Sequence, residues 1–321
     1  MASIITLTLN PAVDKSCSVE HVRPEDKLRC HNVSHHAGGG GLNVARAVVK
    51  LGGNALAFWT CGGALGELLR IVLDDEGIDH RPISIADMTR ENVIVSEESS
   101  NQQYRFCMPG ARITEQEIAS CLDALKETIG SSQHGGIGSA TERAEKFVVL
   151  SGSLPPGAGD DLYAQIAETL NPACRVVVDT SGRPLELAVR KSLYLIKPNI
   201  RELGQLVGRT IETDSQLRDV AKRLIDDGNV EVVLTSLGSG GAVLTTSDTH
   251  VHIRTPTVKI RSKVGAGDSM VAGMVLALTR GKSVFDAARF AVATGAAAVK
   301  TEGTELCRRE DAERLYKEME S

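Results

Sequence analysis

The pattern of hydrophobic and polar positions predicts short buried strands that alternate with helices. Residues 4–9 are β-branched or apolar and stop at Asn10-Pro11, which is typical of a buried strand. The later strands share this apolar character: residues 55–60, 146–150, 175–178, 194–196 and 230–234. Helical periodicity marks the segments around them: residues 42–49, 66–76, 113–129, 160–170, 183–191, 214–227, 268–279, 284–299 and 309–319. Since continuous apolar strands are typical of parallel sheets covered on both faces, we expect an α/β layer fold.

Two polar segments interrupt this pattern, and we expect them to form a small sheet outside the main body. Residues 13–33 are polar with short alternating stretches that predict exposed strands. Residues 92–108 alternate, with Tyr104, Phe106 and Met108 on one side. The predicted division is therefore a core of residues 1–12, 36–88 and 109–321 and a lid of residues 13–35 and 89–108. The Gly- and Ser-rich residues 130–141 predict a loop.

Composition and charge exclude several classes of protein. The 321 residues carry a net charge of −5, whereas a nucleic-acid binder usually has a strongly basic face. No apolar run reaches the roughly 18 residues of a membrane span, and the first residues do not form a secretory signal. The seven cysteines include no Cys-x-x-Cys pair, so we expect reduced thiols and neither disulfides nor a zinc ribbon. We therefore expect a cytoplasmic protein that binds neither nucleic acid nor membranes.

The sharpest chemical motif is Gly265-Ala266-Gly267-Asp268, at the start of a predicted helix. Glycines let the backbone approach a ligand, and the free amides of a helix start attract an anion. A carboxylate beside such an anion site can accept a hydroxyl proton. An aspartate that simply caps a buried helix fits the same spacing, and the motif alone does not decide between the two interpretations.

Two weaker motifs each follow a predicted strand. Residues 236–241, Ser-Leu-Gly-Ser-Gly-Gly, resemble a glycine turn that could hold a nucleotide at a sheet edge. Asn199 and Glu202, after Lys197, offer oxygen atoms suited to Mg²⁺ or its waters. An ordinary loop explains each of these two motifs equally well.

The lid segments carry basic side chains that could bind a phosphate group. Lys27 and Arg29 lie two residues apart on one predicted strand face, and Arg90 and Arg105 lie in the second lid segment of this acidic protein. They could equally be solvated surface charges. Asp14 and Asn43 flank the glycine run at residues 38–41, where they could bond sugar hydroxyls or act as turn and cap residues.

Together the motifs resemble the ribokinase-like (PfkB) carbohydrate kinases over essentially the whole chain. Residues 38–45, Gly-Gly-Gly-Gly-Leu-Asn-Val-Ala, and residues 264–269, Val-Gly-Ala-Gly-Asp-Ser, are similar to the family's two signatures. Further motifs are similar to its phosphosugar branch: residues 10–14, 108–110, 151–157 and 197–199. The likeness is greatest to the minor-type 6-phosphofructokinases, on these stretches: residues 27–30, 89–90, 103–106, 303–304 and 306–307.

The resemblance implies a three-layer α/β/α core with a mostly parallel sheet and a small β lid. It implies ATP-dependent phosphorylation of fructose 6-phosphate at its C1 hydroxyl, a glycolytic reaction. Tagatose-6-phosphate kinase or 1-phosphofructokinase activity is the alternative, because loop geometry distinguishes these substrates. A non-catalytic sugar-phosphate-binding regulator is a further alternative, although the presence of Asp268, Asn199 and Glu202 argues against it.

The resemblance also assigns roles to individual residues. Asp268 would be the base, and the amides of Gly265, Ala266 and Gly267 would form the anion hole. The substrate residues would be Asp14, Gly39, Gly40 and Asn43 for the sugar, and Lys27, Arg90 and Arg105, with Ser151 or Ser153, for its phosphate. The nucleotide residues would be Lys197, Asn199, Ser236, Gly238 and Gly241.

The implied cofactors are ATP, Mg²⁺ and, as a further candidate, K⁺. Asn199 and Glu202 would hold Mg²⁺ through water. Lys263 and Glu305 depart from the residues that we expect of the nearest relatives, and this departure weighs against the K⁺ site. The implied partners are a sugar phosphate, ATP and a second copy of the chain, joined through the lids as a homodimer.

Overall fold

The apolar runs of the sequence become the strands of a large sheet. The computed structural model describes residues 3–130, 146–170 and 173–319, so residues 131–141 of the predicted loop lie outside it. The strands are β1 (Ile4–Thr8), β2 (Ala12–Val19), β3 (His31–Gly38), β4 (Leu56–Cys61), β5 (His80–Ser84), β6 (Arg90–Glu97), β7 (Gln102–Cys107), β8 (Phe147–Ser151), β9 (Arg175–Asp179), β10 (Leu193–Ile196), β11 (Val230–Ser236), β12 (Ala242–Thr245) and β13 (His250–Ile253).

The helices have the following bounds. They are α1 (Gly40–Lys50), α2 (Gly63–Asp75), α3 (Glu115–Gly130), α4 (Leu162–Leu170), α5 (Arg183–Ala188), α6 (Ile200–Leu206), α7 (Asp214–Asp226), α8 (Ala266–Thr279), α9 (Val284–Ala298) and α10 (Arg309–Glu318). The helices predicted from periodicity are confirmed to within a few residues at their ends.

The large sheet has nine strands in the order β13-β12-β11-β10-β9-β8-β1-β4-β5. Neighbouring strands from β11 to β5 run parallel, and β12 and β13 add an antiparallel hairpin at one edge. The expected mostly parallel sheet is confirmed. Because parallel strands share one direction, the carboxyl ends of β8, β9, β10 and β11 lie along a single edge.

Helices cover both faces of this sheet, which explains why its strands are apolar without alternation. Successive side chains of a strand point to opposite faces, and the neighbours Phe58 and Trp59 accordingly belong to two different hydrophobic clusters. Helices α1, α8 and α9 supply the cluster around Trp59, and α3 and α4 supply the one around Phe58. The expected three-layer α/β/α arrangement is confirmed.

The second sheet has four strands in the order β3-β2-β6-β7. It forms the expected small lid, but β2 is mostly buried, because it lies inside this sheet and also packs against α2. The expectation of exposed strands throughout residues 13–33 is therefore wrong for β2. Residues 20–30 form no strand. The expectation that Lys27 and Arg29 share a strand face is therefore wrong.

The predicted division between core and lid remains a prediction. Its boundaries after residues 12 and 35 fall inside β2 and β3, which both run on toward the large sheet. β3 ends at Gly38 and α1 begins at Gly40, so the lid enters the core directly at the glycine run. Among the residues described, no helix is both long and apolar enough to cross a membrane.

Candidate active site

Polar side chains gather where the central parallel strands end. Ser151 and Asp179 are paired residues at the ends of β8 and β9, and Lys197 directly follows β10. Lys197 Nζ lies 3.2 Å from Asp179 Oδ1, and Ser151 Oγ donates to Asp179 Oδ2 at 3.5 Å. The carboxyl edge of a parallel sheet is the usual ligand site of this architecture. Sequence reasoning missed Asp179, although an acid that ends an apolar strand before a Ser-Gly turn was an available signal.

Lys197 keeps its positive charge at this edge despite being buried. Burial lowers its pKa, but the ion pair with Asp179 and the negative charges of Asp268 and Glu202 outweigh burial and raise the pKa. The ammonium therefore provides a fixed cation on the floor of the site.

The start of α8 lies against this lysine. Gly265 precedes the helix in the left-handed conformation, with φ 70°, and a Cβ there would lie 2.3 Å from Leu306 Cδ2. The first amides of a helix have no partner within the helix, so those of Ala266 and Gly267 are available to a ligand. A Cβ on Gly267 would lie 3.2 Å from Lys197 Nζ. The ammonium and the amides thus converge on a place suited to an anion.

Asp268 is the third residue of α8 and does not cap it. Gly265 occupies the N-cap position, and no side chain caps the helix. The half-buried carboxylate instead accepts a 2.9 Å hydrogen bond on Oδ2 from Asn43 Nδ2. Burial and the charge of Asp179 raise the pKa of Asp268 to about 6, although Asn43, Lys197 and Arg46 act to lower it. An acid with this pKa can take up a proton near neutral pH.

The glycine run brings α1 against the end of β8. A Cβ on Gly40 would lie 2.3 Å from Ser151 Oγ, so only glycine permits this approach. Gly39 and Asn43 lie at the same end of α1. The structure therefore brings Gly39, Gly40, Asn43, Ser151 and Asp268 together, as sequence reasoning expected.

Asp14 lies on lid strand β2 beside the glycine run, where a Cβ on Gly38 would lie 2.5 Å from its Oδ2. Its buried carboxylate accepts a 2.8 Å hydrogen bond on Oδ1 from Asn92 Nδ2, across the β2–β6 pair. Burial raises the pKa of Asp14, while the hydrogen bond from Asn92 and the charge of Arg90 oppose this rise. Asn92 was missed by sequence reasoning because its role depends on strand pairing.

The residues predicted to bind the substrate's phosphate make fewer contacts with one another than the residues around Asp268. Arg90 is half-buried and donates to the carbonyl oxygens of Asn10 at 3.1 Å and Met108 at 3.3 Å. Its Nε is buried without a hydrogen-bond partner among the described residues. Arg105 is exposed on the face of the lid that also carries Asp14, and it donates to Gln103 Oε1 at 2.8 and 3.0 Å.

Lys27 and Ser153 are both exposed. Lys27 lies in the irregular segment between β2 and β3, and Ser153 Oγ accepts from Asn10 Nδ2 at 3.0 Å. Within the part of the chain that the structure describes, neither Lys27 nor Arg105 bonds to Arg90 or Asp14.

A cavity of about 480 Å³ borders the start of α8, with Ala266, Gly267 and Met270 in its lining. Its lining includes the predicted nucleotide residues Ser236, Gly238 and Gly241, and Gly267 marks the end nearest the anion site. Lys197 and Asn199 lie outside this lining. The remaining walls are mainly apolar and were missed by sequence reasoning, because α9 and residues 255–258 looked like ordinary core and loop. An apolar slot that ends at free helix amides suits a base with attached phosphates.

Asn199 and Glu202 form a capping box at the start of α6. Asn199 Oδ1 accepts from the Glu202 amide at 2.9 Å, and the Asn199 amide donates to Glu202 Oε2 at 2.8 Å. The negative charges of Glu202 and Asp179 both act on Lys197. The side-chain oxygen atoms of Asp179, Asn199 and Glu202 are of the type that suits Mg²⁺ held through water. Across the described ranges, no cluster of three acidic, histidine or cysteine residues could hold a metal directly.

Comparisons with known proteins show the family of the chain. The profile of the pfkB family carbohydrate kinases matches residues 4–311. An ATP-dependent 6-phosphofructokinase isozyme 2 from Mycobacterium tuberculosis is 41% identical over 314 residues, covering 98% of this chain and 88% of the relative. The Escherichia coli phosphofructokinase-2 solved with fructose-6-phosphate gives a TM-score of 0.89 at 36% identity, with 100% of both chains covered. Its potassium complex gives a TM-score of 0.91 at 37% identity, again over 100% of both chains.

Proposed function

The chain belongs to the pfkB family of carbohydrate kinases, and on that basis we propose that it is an ATP-dependent 6-phosphofructokinase. It transfers the γ-phosphate of ATP to the C1 hydroxyl of fructose 6-phosphate and forms fructose 1,6-bisphosphate. The observation that carries the proposal is the position of Asp268. It lies at a helix start that borders an apolar cavity and contacts Asn43 near the lid. The near full-length likeness to 6-phosphofructokinases supports the choice of substrate.

The site residues divide the catalytic work. Asp268 accepts the proton of the attacking hydroxyl, and Asn43 holds the carboxylate that receives it. The amides of Gly265, Ala266 and Gly267, with the ammonium of Lys197, stabilise the negative charge of the transferring phosphoryl group. ATP binds in the cavity lined by Ser236, Gly238 and Gly241. Bound Mg²⁺, held through water by Asp179, Asn199 and Glu202, supplies neutralisation of phosphate charge.

The lid holds the sugar phosphate over the base. Asp14, fixed by Asn92, accepts bonds from sugar hydroxyls, together with Gly39, Gly40 and Asn43. Arg90, whose Nε has no partner within the described residues, binds the substrate's phosphate with Lys27 and Arg105. Ser151 and Ser153 are further donors at this end. A lid over the sugar also excludes water, which limits hydrolysis of ATP.

Replacement of the base tests the mechanism. Asp268→Asn keeps an oxygen acceptor for Asn43 but loses the proton acceptor, so we expect a fall in kcat of at least about 100-fold. The dissociation constants for ATP and fructose 6-phosphate, measured by calorimetry, stay within about twofold. Asp160→Asn, at an exposed turn, is the matched control. Turnover of Asp268→Asn near the rate of the unmodified enzyme would rule out this residue as the base.

A panel of acceptors tests the substrate. Coupled kinetics with ATP and fructose 6-phosphate, fructose 1-phosphate, tagatose 6-phosphate and ribose should give the highest kcat/KM for fructose 6-phosphate. Arg90→Ala and Arg105→Ala should raise KM for phosphorylated sugars. Free fructose used as well as fructose 6-phosphate would contradict the phosphate clamp, and binding of sugar phosphate without turnover would favour the regulator alternative.

Three further features belong to the proposal. The protein acts in the cytoplasm, and two copies join through their lids as a homodimer. K⁺ is a candidate cofactor because the E. coli relative was solved with potassium. In this chain Lys263 lines the nucleotide cavity and Glu305 pairs with Arg308 at 2.7 Å. Both residues depart from those that the resemblance leads us to expect near the cation, and this departure weighs against K⁺. Activity in potassium chloride against tetramethylammonium chloride measures the dependence.

A further inference from the structure

We propose that Arg46 is a positioning residue for the catalytic base, acting through the side-chain amide of Asn43. The proposal rests on the function proposed above. Arg46 does not touch a substrate. It is the fully buried guanidinium that fixes which way Asn43 faces, and Asn43 in turn fixes Asp268.

The guanidinium is held rigidly before it reaches Asn43. Only 1% of Arg46 is exposed, and its Nε and NH2 groups donate to the two carboxylate oxygens of Glu76 at 2.6 and 2.7 Å. NH1 then donates to the carbonyl oxygen of Ala37 at 2.8 Å and to Asn43 Oδ1 at 3.1 Å. A bidentate ion pair of this kind leaves the planar guanidinium little freedom to rotate.

The order of donors and acceptors then fixes the orientation of the Asn43 amide between Arg46 and Asp268. Arginine only donates, so the atom of Asn43 that meets Arg46 must be the carbonyl oxygen. The amide nitrogen of Asn43 therefore faces Asp268 and donates to Oδ2 at 2.9 Å. One carboxylate oxygen of Asp268 is fixed in this way, and Oδ1 remains for the hydroxyl proton.

The same series of hydrogen bonds also connects Asp268 to the lid. Ala37 lies at the end of β3, so Arg46 joins that strand, α1 and, through Asn43, the start of α8. Glu76 follows α2, which packs under the lid. Removal of Arg46 would leave the Asn43 amide free to rotate and the buried Ala37 carbonyl without this donor.

Charge provides a second, independent consequence. The charged groups that face Asp268 are Asp179 at the end of β9, Lys197 after β10 and Arg46 on α1. Arg46 and Lys197 favour the ionised base, and Asp179 opposes it. Loss of Arg46 therefore raises the pKa of Asp268, so the acid limb of the pH–kcat profile moves to higher pH.

Three variants of the full chain test the proposal by fructose 6-phosphate kinetics across pH. Arg46→Met should lower kcat about 10- to 100-fold, leave both KM values within about twofold and move the acid limb upward. Arg46→Lys keeps the positive charge but lacks the planar guanidinium that reaches Glu76, Ala37 and Asn43 together. We therefore expect kcat to fall while the acid limb stays in place. Leu73→Ala, at a fully buried apolar residue of α2 outside this hydrogen-bond chain, is the control for lost stability, and its kcat and acid limb should be unchanged.

The outcomes separate this proposal from the proposed function. An unmodified enzyme without fructose 6-phosphate kinase activity would overturn the function itself. An active enzyme whose Arg46→Met variant keeps kcat and its acid limb would overturn the role of Arg46 alone, as would an equal loss of kcat in Leu73→Ala. If Arg46→Met does not fold, Arg46→Lys decides: unchanged kcat overturns the role, and lower kcat at constant KM supports it.

Discussion

Asp268 carries its negative charge where burial and the carboxylate of Asp179 both oppose ionisation. Its pKa of about 6 in the folded protein exceeds the value of 3.8 for a free side chain, so folding favours the protonated form. Stability contributed by this group is therefore present at low pH and is lost as pH rises from about 4 to above 6. The proposed base is for this reason a source of instability at neutral pH.

We expect Asp268→Asn to stabilise the protein at about pH 8, by up to about 3 kcal/mol, because asparagine has no charge to bury. The gain in the free energy of unfolding, measured in urea, should shrink toward zero at about pH 4. Asp160→Asn should show no such dependence. A gain that is equal at both pH values would contradict this account of the charge.

Asn92 offers a second test at the level of one side chain. Asn92→Ala removes the donor to Asp14, so the buried carboxylate loses its orientation, and KM for fructose 6-phosphate should rise about tenfold. KM for ATP should stay unchanged, because Asp14 and Asn92 lie on the lid. Ser96→Ala, further along the same strand, is the control, and the same rise in that variant would refute the specific role of Asn92.

The residues that sequence reasoning found and missed differ in a physical way. Asp268, Asn43 and the glycine runs lie in local motifs whose spacing already indicates a turn or helix start. Asp179, Arg46 and Asn92 acquire their roles only through contacts between distant parts of the chain. Asn92, for example, meets Asp14 across 78 residues. No local pattern carries that information, so these residues required the structure.

At the scale of elements, the start of α8 and its end provide a matched pair of glycines. Gly265 and Gly281 have φ values of 70° and 75°, but a Cβ on Gly265 would meet Leu306, whereas nothing lies within 4 Å of one on Gly281. Gly281→Ala should cost about 1 kcal/mol of unfolding free energy and leave kcat unchanged.

Gly265→Ala adds the collision with Leu306 to the same backbone strain, so it should cost at least about 2 kcal/mol. It also displaces the amides of the proposed anion hole, and we expect kcat to fall by about tenfold or more. Chemical denaturation and steady-state kinetics on both variants measure these effects. Equal losses of stability and activity at the two ends would show that the helix start is not a special position.

The elements that periodicity predicted are those with a long apolar face. Strands β1, β8, β9, β10 and β11 are continuous apolar runs, and each is confirmed. The hairpin β12–β13 and the helix α6 were not predicted, because four- and seven-residue elements are too short to establish a period. The helix α6 depends on the local hydrogen bonds of its capping box, and β12 depends on tertiary pairing with β11. Neither contribution shows in the hydrophobic pattern of the sequence.

At the scale of the whole molecule, one face of the lid leaves large apolar side chains exposed beside the Lys15–Glu91 ion pair. Cross-strand register places Val93 and Phe106 opposite each other, on the face away from Asp14 and Asn92. Phe106 is 52% exposed and Val33, on the other edge strand, is 53% exposed. A soluble protein seldom leaves such a face to water, and a second lid has the same chemistry to offer. This face is the reason for placing the dimer there.

Phe106→Asp should therefore separate the proposed homodimer, because two buried charges would face each other across a two-fold interface. Sedimentation velocity at micromolar concentration should give twice the chain mass of 34.2 kDa for the unmodified protein and one chain mass for the variant. Ile71→Asp introduces the same charge at an exposed apolar residue of α2, outside the lid, and should remain a dimer. A single-chain mass for the unmodified protein, or a dimer of Phe106→Asp, would exclude assembly through this face.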